Sequence, residues 1–376
     1  MNVFVSGCAV ASPFGVGLRA LEDGVFGGRS GVTFLPGIAE DFPVRAVALL
    51  GGGLPTAQDH GPVVESLFRE LGGGIGGVDG VVFSLSLPTE LELRRHGQGG
   101  ARFRGTEAQS AWLRELLLRH AGHAPPPEEF VPIAEACITG ISALGTAAQR
   151  VRAGRWRRAL ALVSDLRVDE LELLRFHALG ALSTRKVPAA EASCPFSKDR
   201  DGFVKAQGAG AFVLESDGVK PFARVLGCFQ TGDAYRITEG RADGSGPFHA
   251  MRGALVAAGL SPDEIDCVSA HGTSTPLNDQ LETLAIKELF GARPPVTALK
   301  SQIGHASPAA GVLQVAASLL MLRRQEIPAT INLRNPDPLC DLDYVPGGPR
   351  RARLGTILCN AFGFGGLNAS LILGKP

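Results

Sequence analysis

One cysteine, two histidines and a lysine stand at similar places in three separate segments of the chain. Cys137 lies in AEACITGISALGTAAQRV, residues 134 to 151, where small and apolar residues lead into the thiol and a helical pattern follows. A thiol at a helix N-terminus is favoured as thiolate. The unpaired N–H groups and the macrodipole there lower its pKa from the ordinary ~8.5 and make a nucleophile. The same N–H groups suit a developing oxyanion. A cysteine ahead of a helix is equally at home as a packed thiol, so this segment alone leaves both readings open.

His271 opens HGTSTPLNDQLE, residues 271 to 282, directly after the strand pattern IDCVSA. That is the C-terminal edge of a strand, where α/β proteins collect ligands and catalytic groups. KSQIGHASPAAG, residues 300 to 311, repeats the context, with Lys300 at a strand end and His305 ahead of a helix rich in small residues. Either histidine by itself also fits a capping or buried role. One Cys and two His at three strand–helix junctions are better specified together. They fit covalent catalysis, with the thiolate as nucleophile and the imidazoles as hydrogen-bond donors or proton shuttles. A fourth segment, CNAFGFGGLNASLIL at 359 to 373, carries Gly363, Gly365 and Gly366, which suit either close approach of main chain to a ligand or a tight turn between buried strands.

The elements that must hold these groups are short apolar runs: VFVSG, VDGVVFSLS, RRALALVSD, GAGAFVLES, IDCVSAHGT, PVTALKS and GTILCNAFG. They alternate with helical stretches at Ile138 to Ala153, Gly246 to Ala258, Asp279 to Leu289 and Ala309 to Arg324. That alternation predicts an α/β protein with largely parallel sheets covered on both faces. No low-complexity linker divides the chain, which reads as two halves, 1–215 carrying Cys137 and 216–376 carrying the other motifs. Leu85 to Phe130 is the least regular part, with Gly97, Gly99, Gly100 and Pro125-Pro126-Pro127, and predicts a loop-and-helix excursion.

Composition narrows the partners. Lys plus Arg equals Asp plus Glu at 37 each, so no overall field favours nucleic acid or anionic lipid. Local arginine patches stand at Arg94, Arg95, Arg102 and Arg104 and between Arg150 and Arg158, read first as solvated helix ends and loops. The seven cysteines are dispersed without a C-x-x-C pair, which speaks against a zinc site or a disulfide framework. No apolar run reaches the roughly 18 residues of a membrane span, and the N-terminus reads as a first strand rather than a leader. A cytoplasmic protein is expected.

In this order the four motifs resemble the β-ketoacyl-acyl-carrier-protein synthases, together with VSGCAVASPFG at the start, GRSGV at 28 to 32 and CPFSKDRDGFVKAQGAGAFVLE at 194 to 215. The resemblance implies a thiolase-like fold of two similar halves stacked as αβαβα layers. It also implies decarboxylative Claisen condensation of an acyl group with a malonyl unit. By the same resemblance Cys137 accepts the acyl group, His271 and His305 assist decarboxylation and hold the enolate, and Lys300 orients them. Asp279 and Glu282 resemble supporting carboxylates of His271. Thr273 and Thr275 match hydroxyls that contact a phosphopantetheine arm, and Phe364 matches a gating aromatic. No cofactor is implied, because substrates arrive on the arm of an acyl carrier protein. The implied assembly is a homodimer, or a heterodimer with a second ketosynthase-like subunit. Two histidines resemble the elongating branch rather than the initiating one.

The chain departs from the family pattern at Gln207 (AQGAG for GEGAG), Arg236 (DAYRIT for DAYHIT) and Leu367 (GFGGLN for GFGGTN), and in shorter stretches before Cys137 and after Glu215. These departures leave the primer open. They also keep a second reading, a non-condensing chain-length-factor-like partner, beside the synthase. A thiolase using a second C-terminal cysteine finds only Cys359, outside a C-x-G motif.

Overall fold

The computed structural model describes residues 1–51, 60–86 and 105–376. Ten strands form the spine of one sheet. The first five are β1 (Phe4–Ser12), β2 (Gly80–Leu85), β3 (Phe130–Pro132), β4 (Arg158–Asp165) and β5 (Gly208–Glu215). The second five are β6 (Ala223–Gly232), β7 (Cys267–Ser269), β8 (Val296–Thr297), β9 (Thr356–Gly363) and β10 (Leu367–Gly374). Their spatial order is β8-β7-β9-β10-β6-β1-β5-β4-β2-β3. From the central β1·β6 pair outward, each set of five therefore places its first, last, fourth, second and third strand in turn.

The sheet is mixed rather than largely parallel. Parallel pairing is confined to the flanks, β2 with β3 and β4, and β7 with β8 and β9, while the middle from β9 to β4 is antiparallel throughout. The physical reason is burial. Strands covered on both faces read as continuous apolar runs whatever their direction, so composition carried no sign of the antiparallel centre.

Six helices complete the layers: α1 (His60–Leu71), α2 (Thr106–Ala121), α3 (Thr139–Arg152), α4 (Ser245–Ala258), α5 (Pro276–Phe290) and α6 (Ala310–Arg324). α3 and α6 lie between the two half-sheets and touch both. α6 is buried from Ala310 through Leu322, as a helix apolar on all sides must be. α1 and α2 cover the outer face of the first half, and α4 and α5 that of the second, each over its own apolar core. The five layers are thus α, β, α, β, α.

The two middle helices meet glycine to glycine. A Cβ on Gly140 would come within 2.7 Å of the Val312 nitrogen, and one on Gly311 within 2.7 Å of the Ile141 nitrogen. Only residues without a side chain allow this approach. The excursion before β3 does contain a helix, α2, while Arg94, Arg95, Arg102, Arg104, Gly97, Gly99 and Gly100 lie outside the described residues.

Candidate active site

Both middle helices begin with the same backbone device. Ala136 holds φ at +46°, a 3-10 turn covers Ala136–Ile138, and α3 follows. Ser307 holds φ at +48°, a 3-10 turn covers Ser307–Ala309, and α6 follows. The left-handed region costs a residue with a side chain about 1–2 kcal/mol, so each elbow needs support. At the first, Thr139 Oγ1 accepts from the Glu135 N–H and donates to the Ala136 carbonyl, both at 2.8 Å. At the second, Ser307 Oγ accepts from Lys205 Nζ at 2.9 Å.

The first elbow delivers Cys137 and the second His305, and both line one cavity of about 320 Å³ with His271. The rings of His271 and His305 are 5.2 Å apart, nearly perpendicular. Thr273, Thr275 and Phe364 line the same cavity, the two threonine hydroxyls 2.8 Å apart. Phe176, Phe203 and Phe362 add an aromatic wall that sequence reading passed over.

Burial and hydrogen bonding set the states of these groups. Burial, reinforced by Lys300, holds the His271 and His305 imidazoles well below the usual histidine range, so both are neutral near pH 7. Lys300 Nζ lies 3.2 Å from His271 Nδ1 and donates to the His271 carbonyl at 2.5 Å. An ammonium has nothing but donors, so Nδ1 accepts and the ring proton sits on Nε2. At His305 the Ser307 N–H donates to Nδ1 at 3.1 Å, which assigns the same tautomer. Burial lowers Lys300 to about 8, against the pull of Glu282, Cys137 and Asp279.

The thiol differs from the sequence expectation. Cys137 sits in the 3-10 turn two residues ahead of the first residue of α3, and burial pushes its thiol up. Lys205, Lys300 and the Phe364 N–H, which bonds the sulfur, oppose that rise. Desolvation around the sulfur outweighs these favourable neighbours and the helix terminus.

The two carboxylates part company. Glu282 accepts from the His271 and Gly272 N–H groups, each at 2.8 Å, and from Asn360 Nδ2 at 3.0 Å, so it fixes the main chain at His271. Asp279 accepts from the Phe196 N–H at 2.8 Å and faces Arg200 at 3.4 Å. The Asp279 carboxylate therefore anchors the 196–200 loop and makes no bond to His271. Gly365 and Gly366 hold φ at +86° and +69°, and a Cβ on Gly363 would stand 3.2 Å from the Cys137 nitrogen, so the glycine loop serves both turn and close approach. Gln207 is buried, donating to the Leu166 carbonyl and accepting from the Leu50 N–H. Arg236 stands at the rim, 60% exposed and paired with Glu239. Cys359 is buried against Ser318 with its thiol pushed up to about 12, and does not line the cavity.

Sequence reading missed a buried ionic group behind His305. Lys205, fully buried, donates to Asp165 Oδ2 at 3.0 Å as well as to Ser307. The available signal was a lysine inside the apolar run of FVKAQGAG, since a charge there demands a partner. The Arg150–Arg158 cluster is largely paired internally: Arg155 with Glu129, Arg158 with Glu215, and Arg152 on the Val225 carbonyl. Among the described residues no helix is long and apolar enough to cross a membrane.

The N-terminal domain model of the beta-ketoacyl synthases matches residues 131–218, and the C-terminal domain model matches residues 222–334. The chain is 34% identical over 337 residues to a mitochondrial 3-oxoacyl-[acyl-carrier-protein] synthase of Arabidopsis thaliana, covering 85% of this chain and 70% of that protein. It is 39% identical over 249 residues to 3-oxoacyl-[acyl-carrier-protein] synthase 2 of Synechocystis sp., 64% of this chain. The chain spans only 60–63% of the length of that and similar curated relatives. Among solved structures, a type II polyketide ketosynthase in complex with its acyl-carrier protein and bound to a hexaketide superposes with TM-score 0.86 at 30% identity, covering 100% of this chain and 99% of that one. The ishigamide ketosynthase/chain length factor gives TM-score 0.85 at 28% identity, with the same coverage. Two domain models matched in order, and a relative covered over most of its length, show that this chain belongs to the beta-ketoacyl synthase family.

Proposed function

We propose that this chain is a 3-oxoacyl-[acyl-carrier-protein] synthase that elongates an acyl group with malonyl-carrier by decarboxylative condensation. One observation carries the reading: a thiol and two neutral imidazoles, each with Nδ1 occupied and Nε2–H free, line one cavity. Cys137 attacks the acyl thioester: its S–C bond forms, the carrier C–S bond breaks, and the thiol proton passes to the departing carrier sulfur, which leaves as the thiol. Malonyl thioester then loses CO₂, and the enolate oxygen accepts hydrogen bonds from Nε2–H of His271 and His305. The enolate carbon attacks the Cys137 thioester, a C–C bond forms, and the cysteine thiolate is released. Lys300 keeps the His271 tautomer. Thr273 and Thr275 meet the phosphopantetheine arm of an acyl carrier protein, and Phe364 gates the thiol. Asp279 acts on the loop beneath. Side chains supply the whole reaction, without a cofactor of the chain's own.

Residues 1–215 and 216–376 form two thiolase-type halves in this reading, supported by their matching strand order. The setting is cytoplasmic and the assembly a dimer, with itself or with a second ketosynthase-like subunit. Fatty-acid and polyketide-like pathways both fit. The chain-length-factor reading loses weight because the nucleophile lines the cavity.

The test is Cys137→Ala. Wild type incubated with acyl-carrier donors gains the acyl mass, seen by intact-protein mass spectrometry, whereas the variant gains none and still releases CO₂ from malonyl-carrier. That release falls as pH rises through about 8, because Lys300 loses its proton and with it the group pinning His271. A wild type that takes up no acyl group, alone or with a second synthase, favours the non-condensing partner.

A further inference from the structure

Behind the cavity, Lys205 reaches His305 twice without touching the space where substrate reacts. Through the main chain, the Ala206 N–H donates to the His305 carbonyl at 3.0 Å and the His305 N–H to the Val204 carbonyl at 2.7 Å, so the strand carrying Lys205 clamps the histidine backbone. Through the side chain, Lys205 Nζ donates to Ser307 Oγ at 2.9 Å, and the N–H of that same Ser307 donates to His305 Nδ1 at 3.1 Å. Ser307 sits at a φ of +48°, a conformation that aims its N–H back at the ring and that a serine does not adopt freely. The hydroxyl bond from Lys205 is what the strained residue gains in return.

The ammonium is itself held. Asp165 Oδ2 accepts from it at 3.0 Å, and Arg167 donates to Asp165 Oδ1 at 3.0 Å. Burial alone would raise the Asp165 carboxyl, yet Lys205 and Arg167 hold it well below the usual carboxylate range, so Asp165 is a carboxylate. A fully buried lysine and aspartate, with a buried serine between lysine and histidine, are expensive to retain unless they do something a hydrophobic set could not.

We propose that Lys205 is a positioning residue for His305. With Asp165 as its counter-ion, it stabilises the left-handed turn at Ser307, which locks His305 with its proton on Nε2. The inference rests on the synthase reading, in which that Nε2–H holds the enolate. It gives each histidine its own lysine: Lys300 acts on His271 directly, and Lys205 acts on His305 through one serine. The charged groups facing His305 are Lys300, Lys205 and Asp165, and the two lysines both oppose its protonation.

The experiment compares full-length wild type with Lys205→Met and Ser307→Ala, each labelled with ¹⁵N-histidine, by long-range ¹H–¹⁵N correlation, alongside CO₂ release from malonyl-carrier. Wild type is expected to show His305 protonated on Nε2 alone. Both variants are expected to show a mixture of tautomers and a CO₂-release kcat reduced about tenfold, with KM little changed. If Lys205→Met does not fold, Lys205→Met/Asp165→Asn removes both charges together, and Ser307→Ala keeps them and breaks only the link. Folded variants that keep the single Nε2–H tautomer and the wild-type kcat, with only a lower melting temperature, overturn the proposal. A wild type that neither accepts acyl groups nor releases CO₂ refutes the synthase reading instead, and the tautomer comparison still decides the role of Lys205.

Discussion

The elbow at Ala136 and the elbow at Ser307 share a left-handed residue, a 3-10 turn and a long buried helix, yet they present chemistry in opposite directions. The first offers the residue after the strain, Cys137. The second turns an N–H back onto the residue two places before it, His305. Their supports differ too: a neutral threonine of the same helix at the first, a buried ammonium from another strand at the second. In the reaction proposed above, one backbone device thus serves a nucleophile that moves between bonded states and a donor that stays fixed.

The largest effect that separates the two sides comes from the donors. His271→Ala and His305→Ala should each lower CO₂ release by about 10²–10³-fold, the usual loss for one oxyanion donor. The double variant should lose little more, because the pair acts as a unit. Initial rates on malonyl-carrier measure this, and a histidine whose loss is tolerated breaks the equivalence of the two.

A smaller effect sharpens the contrast of the supports. Ala136→Gly relieves the left-handed strain and should leave folding stability unchanged or raise it by up to about 1 kcal/mol. Ser307→Gly relieves the same strain but takes one acceptor from a buried ammonium, and should cost about 1–3 kcal/mol. Chemical denaturation of the two variants gives the comparison, and equal shifts would mean that the Lys205 bond adds nothing. The smallest effect belongs to the rim. Arg236→His breaks an exposed, solvent-screened ion pair with Glu239, and the ranking of primers by kcat/KM should stay within a few-fold. A shift beyond tenfold between aliphatic and aryl primers would bring Arg236 into the substrate path.

The convergence of Cys137, His271 and His305 on one cavity, with Lys300 on His271, was legible because each sits in a short run at a strand–helix junction, where turn, cap and side chain come together. Glu282 was legible as a support of His271, though it bonds main chain and not the ring. Asp279, assigned to the same duty by resemblance, serves Arg200 and the Phe196 N–H, since the helix α5 points the two carboxylates at different neighbours. Lys205 and Asp165 stayed hidden because their partnership spans forty residues and two strands, and nothing local records it. The raised thiol escaped for a similar reason: enclosure is a property of the cavity, while the helix terminus is a property of the segment. The alternation of strands and helices gave the fold class, and uniform burial erased the antiparallel centre.

The glycine contact between α3 and α6 works as the fixed jaw of a calliper. Gly140 lies three residues beyond Cys137 and Gly311 six beyond His305, each within the opening turns of its own rod, so the gap at the crossing is also the gauge of the distance from sulfur to imidazole. A methyl group added there would be accommodated only by parting the rods. Such overpacking of a buried crossing costs about 1–3 kcal/mol, and it would also move the two helix openings that carry Cys137 and His305 out of register.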